Sequence, residues 1–453
     1  MPSLPPLTRA PQRYNNKRGL IGGATGVRRP DRQRREGPFM SALERPRLRS
    51  HLALEAESGG GYVIWDQLRL AVPRLRLNNL EMSWLRLFDG QRTLGDIQAE
   101  VSRSNGTSPG PEESFHRLLR KLDEALFFEG PRFRSRLREH ADNGIRRPAC
   151  TPSYGDDPVQ LRNWLDRFFT AADGPGQLGP RRPDPYFRGA LLPHIDYGRG
   201  GRTYAWAFKE LFERTPATLF VIIGTSHYSL HRFTLTRKHF QTPLGIAPTD
   251  SSYIDRLVAH YGEGLFDDEL LAHLPEHSIE LEVVFLQYLL GRSPFRIVPL
   301  LVGPFQDCVS CGREPIEAED IGRMIAALRA VEREIEEPIC YIISGDLAHL
   351  GPKFGDSSPV RFPLLEHSRR QDLALLHALG GTATVRRTGP PDAAAYFRVV
   401  AAEGDARRIC GFPPTYIVLE ALHPGRGEVL HYDQYVHPNG YESVSFASAV
   451  FYR

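Results

Sequence analysis

The sequence predicts an α/β fold with a mixed, mainly parallel sheet that carries helices on both faces. From Phe187 onward, short uninterrupted apolar runs alternate with longer segments of helical periodicity. Continuous apolar strands separated by helices are typical of a parallel sheet that is buried on both sides. The final segment, "EVLHYDQYVHPNGYESVSFASAVFYR", alternates around a "PNG" turn and predicts an antiparallel pair. We therefore predict one α/β domain over residues 187–453, with parallel strands in "GALLP", "TLFVIIG", "RIVPLLVG" and "CYIISG".

A small α+β domain is predicted over residues 46–138. Thr93 is a suitable N-cap for a helix from Leu94, and a second helix follows the polar loop "NGTSPGPEE". The later segment "LFFEGPRF" is typical of a short hairpin. Helices followed by a small β element suggest a winged-helix shape, similar to the PqqD-like modules that hold peptides; a plain helical cap is the alternative. The second helix is indicated by apolar residues at helical spacing: Phe115, Leu118, Leu119, Leu122 and Leu126.

Glycine and proline interrupt residues 139–186, as in "GIRRPACTPSYGDDP" and "AADGPGQLGPRRPDP". Between these stretches, "VQLRNWLDRFFTA" has the pattern of a helix. The composition of this segment predicts a linker that carries one outlying helix.

Whole-chain composition narrows the class of protein. The 453 residues are 41% hydrophobic and 25% charged, as in soluble globular proteins. No apolar run approaches the roughly 20 residues needed to cross a bilayer, and no signal peptide is evident, so we expect no membrane association. Five cysteines in so long a chain do not make a disulfide framework, which indicates a reducing compartment, the cytoplasm.

The positive net charge of +3 comes from the N-terminal residues 1–39, which carry nine Arg or Lys against two acidic residues. This segment lacks periodicity and is rich in Pro, Gly and Arg, so we predict a disordered basic extension. A basic arm for nucleic acid is one interpretation. We favour the other, in which Met40 is the true start of the protein, and we expect no nucleic-acid binding.

Polar side chains follow three of the predicted strands. "GALLP" leads into His194, Asp196 and Tyr197, "TLFVIIGTS" ends at His227, and "CYIISG" is followed by Asp346 and His349. Ligands of open α/β sheets bind outside the carboxyl ends of the strands. One such histidine would more often be structural, but three strand ends favour a site. Imidazole and carboxylate groups on rigid strands suit a divalent metal or a general acid–base pair.

Two further segments can complete this site. His277 stands at the start of a predicted helix with Glu280 three residues on, although Glu280 is equally suited to a helix cap. Cys410 precedes a helix with two prolines in its first turn, where the helix N-terminus would favour a thiolate. The alternative for Cys410 is a small buried hydrophobic residue.

Two other patterns carry less weight. Cys308 and Cys311 form a CxxC pair, but zinc requires a second pair, so a local disulfide or an adventitious thiol pair is favoured. The glycines of "YGRGGRTYAW" match no phosphate-binding motif and are better suited to turning the chain sharply off the strand.

Eight segments, taken in order, resemble the Memo family in its bacterial AmmeMemoRadiSam system protein B form. They are "LLPHIDYGRGG", "VIIGTSHY", "TPLG", "EHSIELE", "IVPLLVG", "IISGDLAHLGPKF", "ICGFPP" and "SVSFASAVF". The resemblance covers the chain from about Arg188 to its C-terminus. It implies a fold similar to the class III non-haem-iron dioxygenases of the LigB type. It also implies a redox metal, iron or copper, held by His194, His227 and Cys410.

The remaining motifs of the family fall on further residues. Its SDxxH segment matches Asp346 and His349, which implies an acid–base pair, and its EHSIE segment matches His277 and Glu280. Where the family has PHAGY, this chain has Asp196 before Tyr197. The added carboxylate is expected to supply a harder metal ligand or to orient His194 by a hydrogen bond.

The resemblance implies a metal-dependent redox protein that acts with a radical-SAM protein and an AMMECR-type protein. The N-terminal module lies outside the family pattern; a PqqD-like module there would present a peptide or a partner protein to the metal site. Because a cysteine replaces the carboxylate of the dioxygenase ligand set, ring cleavage is not expected. The alternative is a non-catalytic protein whose pocket binds a peptide or a partner. A hydrolase that uses Asp346 and His349 ranks last, because no nucleophile-elbow serine accompanies them.

Overall fold

The computed structural model describes residues 44–453 except 50, 58, 69, 71–73, 105–109 and 382–389. Residues 45–453 form one compact unit. The basic extension predicted over residues 1–39 lies outside the described residues.

The N-terminal part begins with a three-stranded antiparallel sheet and continues with helices. The first long helix is capped as predicted, because Thr93 Oγ1 accepts from the Asp96 amide and Asp96 accepts from the Thr93 amide. The winged-helix prediction placed the β element after the helices, whereas in the structure the three strands come before them. The elements are β1 (Leu52–Ala56), β2 (Tyr62–Asp66), β3 (Leu75–Leu77), α1 (Asn79–Leu85), α2 (Leu94–Ser104), α3 (Gly110–Glu124) and α4 (Pro131–Asp142).

The hairpin predicted in "LFFEGPRF" is wrong. Leu126 has a left-handed backbone (φ 57°) that ends the run of α3, and Phe128 forms a single bridge with Leu48. Pro131 then occupies the first turn of α4, where a residue without an amide hydrogen is tolerated. The last part of the segment is therefore helical.

The predicted linker is built into the α/β body. Its helix, α5 (Pro158–Thr170), is capped by Asp157 and buries Leu161, Leu165 and Phe169 against the same core as the sheet. Just before it, β4 (Ile145–Arg146) joins a small sheet with β8 (His239–Thr242) and β9 (Gly245–Ala247). The glycines and prolines of this segment make turns, while its apolar residues anchor it.

The main sheet is mixed with a parallel centre, as predicted. Within the described residues, its four central strands run parallel to one another, and an antiparallel strand flanks them on each side. In spatial order the strands are β12 (His349–Leu350), β14 (Ser443–Tyr452), β5 (Phe187–Leu192), β11 (Ile339–Ser344), β6 (Leu219–Thr225), β10 (Arg296–Val302) and β7 (Phe233–Leu235), and β13 (Arg426–Val436) pairs with β14.

Helices cover both faces of this sheet. In β6, Leu219, Val221 and Ile223 point into one core while Phe220 and Ile222 point into the other, which explains the uninterrupted apolar run. Helices α5, α6 (Tyr197–Arg214) and α9 (Ser278–Leu290) pack on the second face. The other helices are α7 (Ser251–Tyr261), α8 (Glu269–His273), α10 (Gln306–Cys311), α11 (Glu319–Glu334), α12 (Phe362–Ala378), α13 (Ala393–Ala402) and α14 (Phe412–Leu422).

The predicted C-terminal antiparallel pair is present as β13 and β14. Every residue of β14 is buried, because this strand lies between β13 and β5 under helix α6. Among the helices of the described chain, none combines the length and the apolar character that crossing a bilayer requires.

Candidate metal centre

Three strands of the sheet deliver polar side chains to one cavity of about 520 Å³. His194 follows β5, His227 follows β6 and Asp346 follows β11, each two residues after its strand ends. Because these strands are parallel neighbours, their carboxyl ends meet at one edge of the sheet. Of the other predicted residues, Asp196, His277, His349 and Cys410 also line this cavity.

His194 and Cys410 bring two metal-binding atoms close together. His194 Nε2 lies 3.2 Å from Cys410 Sγ, and His194 is almost completely buried. Burial lowers the pKa of His194 well below its ordinary value, and the neighbouring His227 and His277 lower it further. A neutral imidazole is the form that binds a metal.

Cys410 reaches the site because two glycines touch. A Cβ on Gly345 would lie 2.3 Å from the Cα of Gly411, so only glycine allows this approach of the β11 end to the start of α14. The carbonyl of Cys410 accepts from Thr225 Oγ1 at 2.9 Å, which ties the loop to β6. The thiol is thereby fixed between the ends of two strands.

The expectation that the helix start would favour the Cys410 thiolate is not met. Burial raises the pKa of this thiol above its ordinary value, and the nearby His227 only partly opposes the effect. Desolvation of the anion therefore determines the direction of the shift. A bound cation would supply the missing stabilisation of the thiolate.

Glu276 is a site residue that the sequence reasoning missed. Its buried carboxylate accepts from the backbone amides of His227, His277 and Ser278 at 2.8–3.0 Å. The same carboxylate lies 3.0 Å from His227 Nδ1. The signal was present in "EHSIELE", where this glutamate stands directly before His277.

The Glu276 carboxylate defines the state of His227. With Nδ1 bonded to Glu276, the ring presents Nε2 as its free nitrogen. The enclosing protein would lower the pKa of His227, but Glu276 and the Cys410 side chain together raise it well above its ordinary value. Burial alone would raise the pKa of Glu276. The neighbouring His227 and His277 instead hold this pKa well below its ordinary range.

The donor atoms fit a metal ion. His194, His227 and His277 have nitrogen atoms within 4.8 Å of one another, and His194, Asp346 and Cys410 form a second such group. The His277 ring stacks on that of His227, with 4.9 Å between centroids, and meets His194 edge to face at 5.4 Å. Imidazoles with one thiol suit borderline and soft metals rather than Mg²⁺ or Ca²⁺.

Asp346 holds the main chain at His194 through hydrogen bonds to its carboxylate. Its Oδ1 accepts from the backbone amides of His194 and Ile195, and its Oδ2 lies 3.7 Å from His194 Nε2. Burial raises the pKa of this carboxyl to about 7, although the two amide bonds oppose the rise. The group can therefore hold or release a proton near neutral pH.

His349 lies across the cavity with its ring orientation defined. Its Nδ1 lies 3.1 Å from the carbonyls of both Leu347 and Arg408, so Nδ1 carries the proton and Nε2 is left as an acceptor. Burial lowers its pKa to about 4, and His227 adds to the effect. The ring is neutral at physiological pH.

Asp196 lines the cavity but is used by helix α6. Its Oδ1 accepts from the Arg199 amide at 3.2 Å, the bond of an N-cap, and its Oδ2 pairs with the Arg199 guanidinium. This contact set differs from both roles expected of Asp196, as a metal ligand or as the partner of His194.

Two predicted pocket residues point elsewhere. Tyr197 is fully buried, and its hydroxyl donates to the carbonyl of Leu281 at 2.6 Å, which joins α6 to α9. Glu280 is also fully buried and pairs with Arg146 behind the cavity. It makes no helix cap, because Glu276 bonds the first amides of α9 instead.

The outer cavity carries paired charges. Arg199 and Lys353 both pair with Glu442, and Arg408 pairs with Asp356 at 2.6 Å. All of these charged side chains except Asp356 line the same cavity as the metal-binding atoms, so a ligand in the cavity would also contact paired charges.

The CxxC pair lies apart from the residues that line this cavity. Cys308 and Cys311 are on α10, both are free, and Cys308 is buried in the core while Cys311 is exposed. No disulfide joins them, so the local disulfide considered for this pair is absent from the structure.

Comparison with known proteins agrees with this architecture. The family described as Memo-like protein matches residues 146–450. A MEMO1 family protein of Aquifex aeolicus is 25% identical over 404 residues, which are 87% of this chain and 96% of the relative. That match therefore extends into the part of the chain before residue 146.

Two further relatives are similar over shorter stretches. A MEMO1 family protein of Thermus thermophilus is 30% identical over 344 residues, covering 75% of this chain and 93% of its own length. One of Methanopyrus kandleri is 30% identical over 309 residues, covering 66% of this chain and 96% of its own. With the family match over most of its length, this chain belongs to the Memo family.

Proposed function

We propose that this protein is a redox protein that binds iron or copper through His194, His227 and Cys410. The observation that carries the proposal is the 3.2 Å approach of His194 Nε2 to Cys410 Sγ at the bottom of a cavity that His227 also lines. The imidazole and the thiol come from separate segments of the chain. A cation that both groups bind would stabilise this arrangement.

The donor set supports a redox metal over a purely structural ion. Thiolate and imidazole ligands suit iron and copper, whose bound ion would supply electron exchange to a molecule in the cavity. The cavity leaves room beside the three ligands, as a site that acts on a substrate requires. The substrate is a small molecule or a side chain able to enter a cavity of about 520 Å³.

Proton handling is assigned to His349 and Asp346. His349 Nε2 can accept a proton from a ligand, because Nδ1 is committed to two carbonyls. The pKa of Asp346, raised by burial to about 7, lets its Oδ2 exchange a proton near His194 at neutral pH.

The proposal extends to fold relationship, partners and compartment. We assign the α/β body to the LigB-like dioxygenase class and the chain to the bacterial AmmeMemoRadiSam type, acting with a radical-SAM and an AMMECR-type protein. The N-terminal part would serve as a PqqD-like, winged-helix-like module that presents a peptide. The low cysteine content, five in 453 residues, supports a reducing, cytoplasmic location.

Metal content tests the proposal. Full-length protein is purified anaerobically and its iron and copper are measured by mass spectrometry, in wild type and in His194→Ala and Cys410→Ser. Cys311→Ser is the matched control, because that thiol is exposed and lies outside the cavity. We expect about one metal per chain in wild type and control, and less than a tenth of that in the two site variants.

The opposite results are equally clear. Wild type without stoichiometric metal, or site variants with as much metal as the control, would reject the proposal. The non-catalytic role, in which the cavity only binds a peptide or partner, would then be the better account.

A further inference from the structure

The orientation of the metal-binding wall depends on where the backbone of Glu276 is held. Its carboxylate sets His227 through Nδ1 and holds the amides of His227 and His277. A carboxylate that bonds both histidines can place them only as accurately as its own main chain is placed. This main chain lies in the short turn between α8 and α9.

One buried side chain binds that turn at several points. Arg146 Nε donates to the carbonyl of His273 at 3.0 Å, and its two terminal nitrogens donate to the carbonyl of Glu276 and to the Glu280 carboxylate. These acceptors span the end of α8, the turn, and the first turn of α9. Arg146 is fully buried, and its guanidinium lies over the Phe240 ring at 5.0 Å.

The counter-charge of Arg146 is fully engaged from the other side. Glu280 accepts from the backbone amides of Ala149 and Cys150 at 2.7 and 3.0 Å, and from the Tyr154 hydroxyl. The ion pair is therefore bonded on both sides. Through it, residues 146–154 are joined to the first turn of helix α9.

Stability alone does not require this arrangement. A buried ion pair can often be replaced by well-packed apolar residues without loss of stability, because desolvation offsets the attraction. Apolar residues could not bind the carbonyls of His273 and Glu276. The planar fork of an arginine can bind both and a carboxylate together.

We propose that Arg146 is a positioning residue of the metal centre: it holds the 273–276 turn and thereby sets Glu276, His227 and His277. The inference rests on the proposed function, since it concerns the same metal site. It predicts that loss of the arginine fork weakens metal binding beyond any general loss of stability.

The test uses cobalt(II) as the probe, because its absorption bands report the ligands and their geometry. Full-length, metal-free protein is titrated with cobalt(II) in wild type, Arg146→Lys and Arg49→Lys. Lysine keeps the charge but cannot bind three separated acceptors. Arg49 is a matched control, because it is also buried and pairs with Asp66 at 2.9 Å in the N-terminal part.

We expect Arg146→Lys to raise the cobalt dissociation constant at least tenfold and to shift the absorption bands. Arg49→Lys should keep the wild-type spectrum and an affinity within about twofold, because the ion pair of Arg49 is with Asp66 rather than with the 273–276 turn. Thermal unfolding is recorded on the same samples. The double substitution Arg146→Met with Glu280→Gln removes both buried charges, so it should recover stability while metal affinity stays low.

Three outcomes would overturn the inference. An Arg146→Lys protein with wild-type affinity and spectrum shows that the fork is not needed, although the proposed function stands. Affinity that follows the unfolding temperature across all variants shows a structural role only. Wild type that binds no cobalt rejects the metal site itself, and with it this role for Arg146.

Discussion

At the scale of single residues, burial decides the chemical state of the histidines. His194, His349 and His273 all have pKa values lowered mainly by desolvation. His227 differs because the Glu276 carboxylate lies 3.0 Å from its ring. The Glu276 carboxylate thus shifts the pKa of His227 in the direction opposite to that of the other three histidines, and it fixes which nitrogen of this ring faces the cavity.

The pH dependence of stability reports the buried His273. Its Nε2 donates to the Thr234 carbonyl at 3.0 Å, and burial lowers its pKa from near 6.5 to about 3. In the unfolded chain, His273 is therefore protonated below about pH 6.5, whereas in the folded protein it is protonated only below about pH 3. As the pH falls through this window, His273 should lower the free energy of unfolding by about 1.4 kcal/mol per pH unit.

Urea unfolding between pH 7 and pH 4 checks this in wild type and in His273→Gln. The glutamine amide can reach the position of Nε2 and donate to the carbonyl but does not titrate, so the variant's pH slope should be shallower by about one proton. Equal slopes in both proteins would show that His273 is protonated in the fold.

At the scale of elements, helix starts place the site. Asp196 caps α6 directly after the β5 end that carries His194, and Glu276 bonds the first amides of α9. The start of α14 carries Cys410 up to β11 through the contact of Gly345 with Gly411. Three helices therefore begin at the cavity, each through a different local device.

The capping role of Asp196 gives a specific prediction. Asp196→Ala should lower the free energy of unfolding by about 1 kcal/mol, whereas Asp196→Asn should keep most of it because asparagine caps as well. Metal content should be unchanged in both variants, since Asp196 bonds Arg199 rather than His194. Loss of metal in Asp196→Asn would instead show that the carboxylate is a ligand.

The close approach at Gly411 gives a second prediction at this scale. A Cβ there would lie 2.7 Å from the Asp346 carbonyl oxygen and 2.8 Å from the Gly345 carbonyl carbon, so two backbones must separate. Gly411→Ala should cost about 1–3 kcal/mol and weaken metal binding, because Cys410 moves away from His194.

Gly144→Ala is the control, since a Cβ at Gly144 meets no atom within 4 Å. Unfolding in urea and a metal titration on both variants measure the two effects. Full metal affinity in Gly411→Ala would mean that Cys410 does not need this contact.

At the scale of the whole molecule, the sequence indicated the sheet and the three strand ends that meet at the cavity. Uninterrupted apolar runs predicted the parallel strands, and the strand-end rule singled out His194, His227 and Asp346. These inferences work because burial on both faces and parallel geometry leave a mark on each strand separately. The antiparallel C-terminal pair left its own mark as alternation around a turn.

The parts that could not be predicted depend on contacts between distant segments. Arg146 and Cys150 lie in a stretch whose glycines and prolines indicate a linker, yet they bond residues about 130 positions later. The pKa of Cys410 follows from burial, which only the assembled fold defines. In the segment of the mistaken hairpin, Pro131 begins a helix instead.

The central claim is that three separate chain segments, those of His194, His227 and Cys410, assemble one metal centre that includes a thiolate. X-ray absorption at the metal edge of anaerobically loaded, full-length protein tests it most directly. We predict one sulfur and at least two imidazole ligands in wild type and in Cys311→Ser, with the sulfur lost in Cys410→Ser. A wild-type shell of oxygen and nitrogen alone, or a sulfur ligand that persists in Cys410→Ser, would contradict the account.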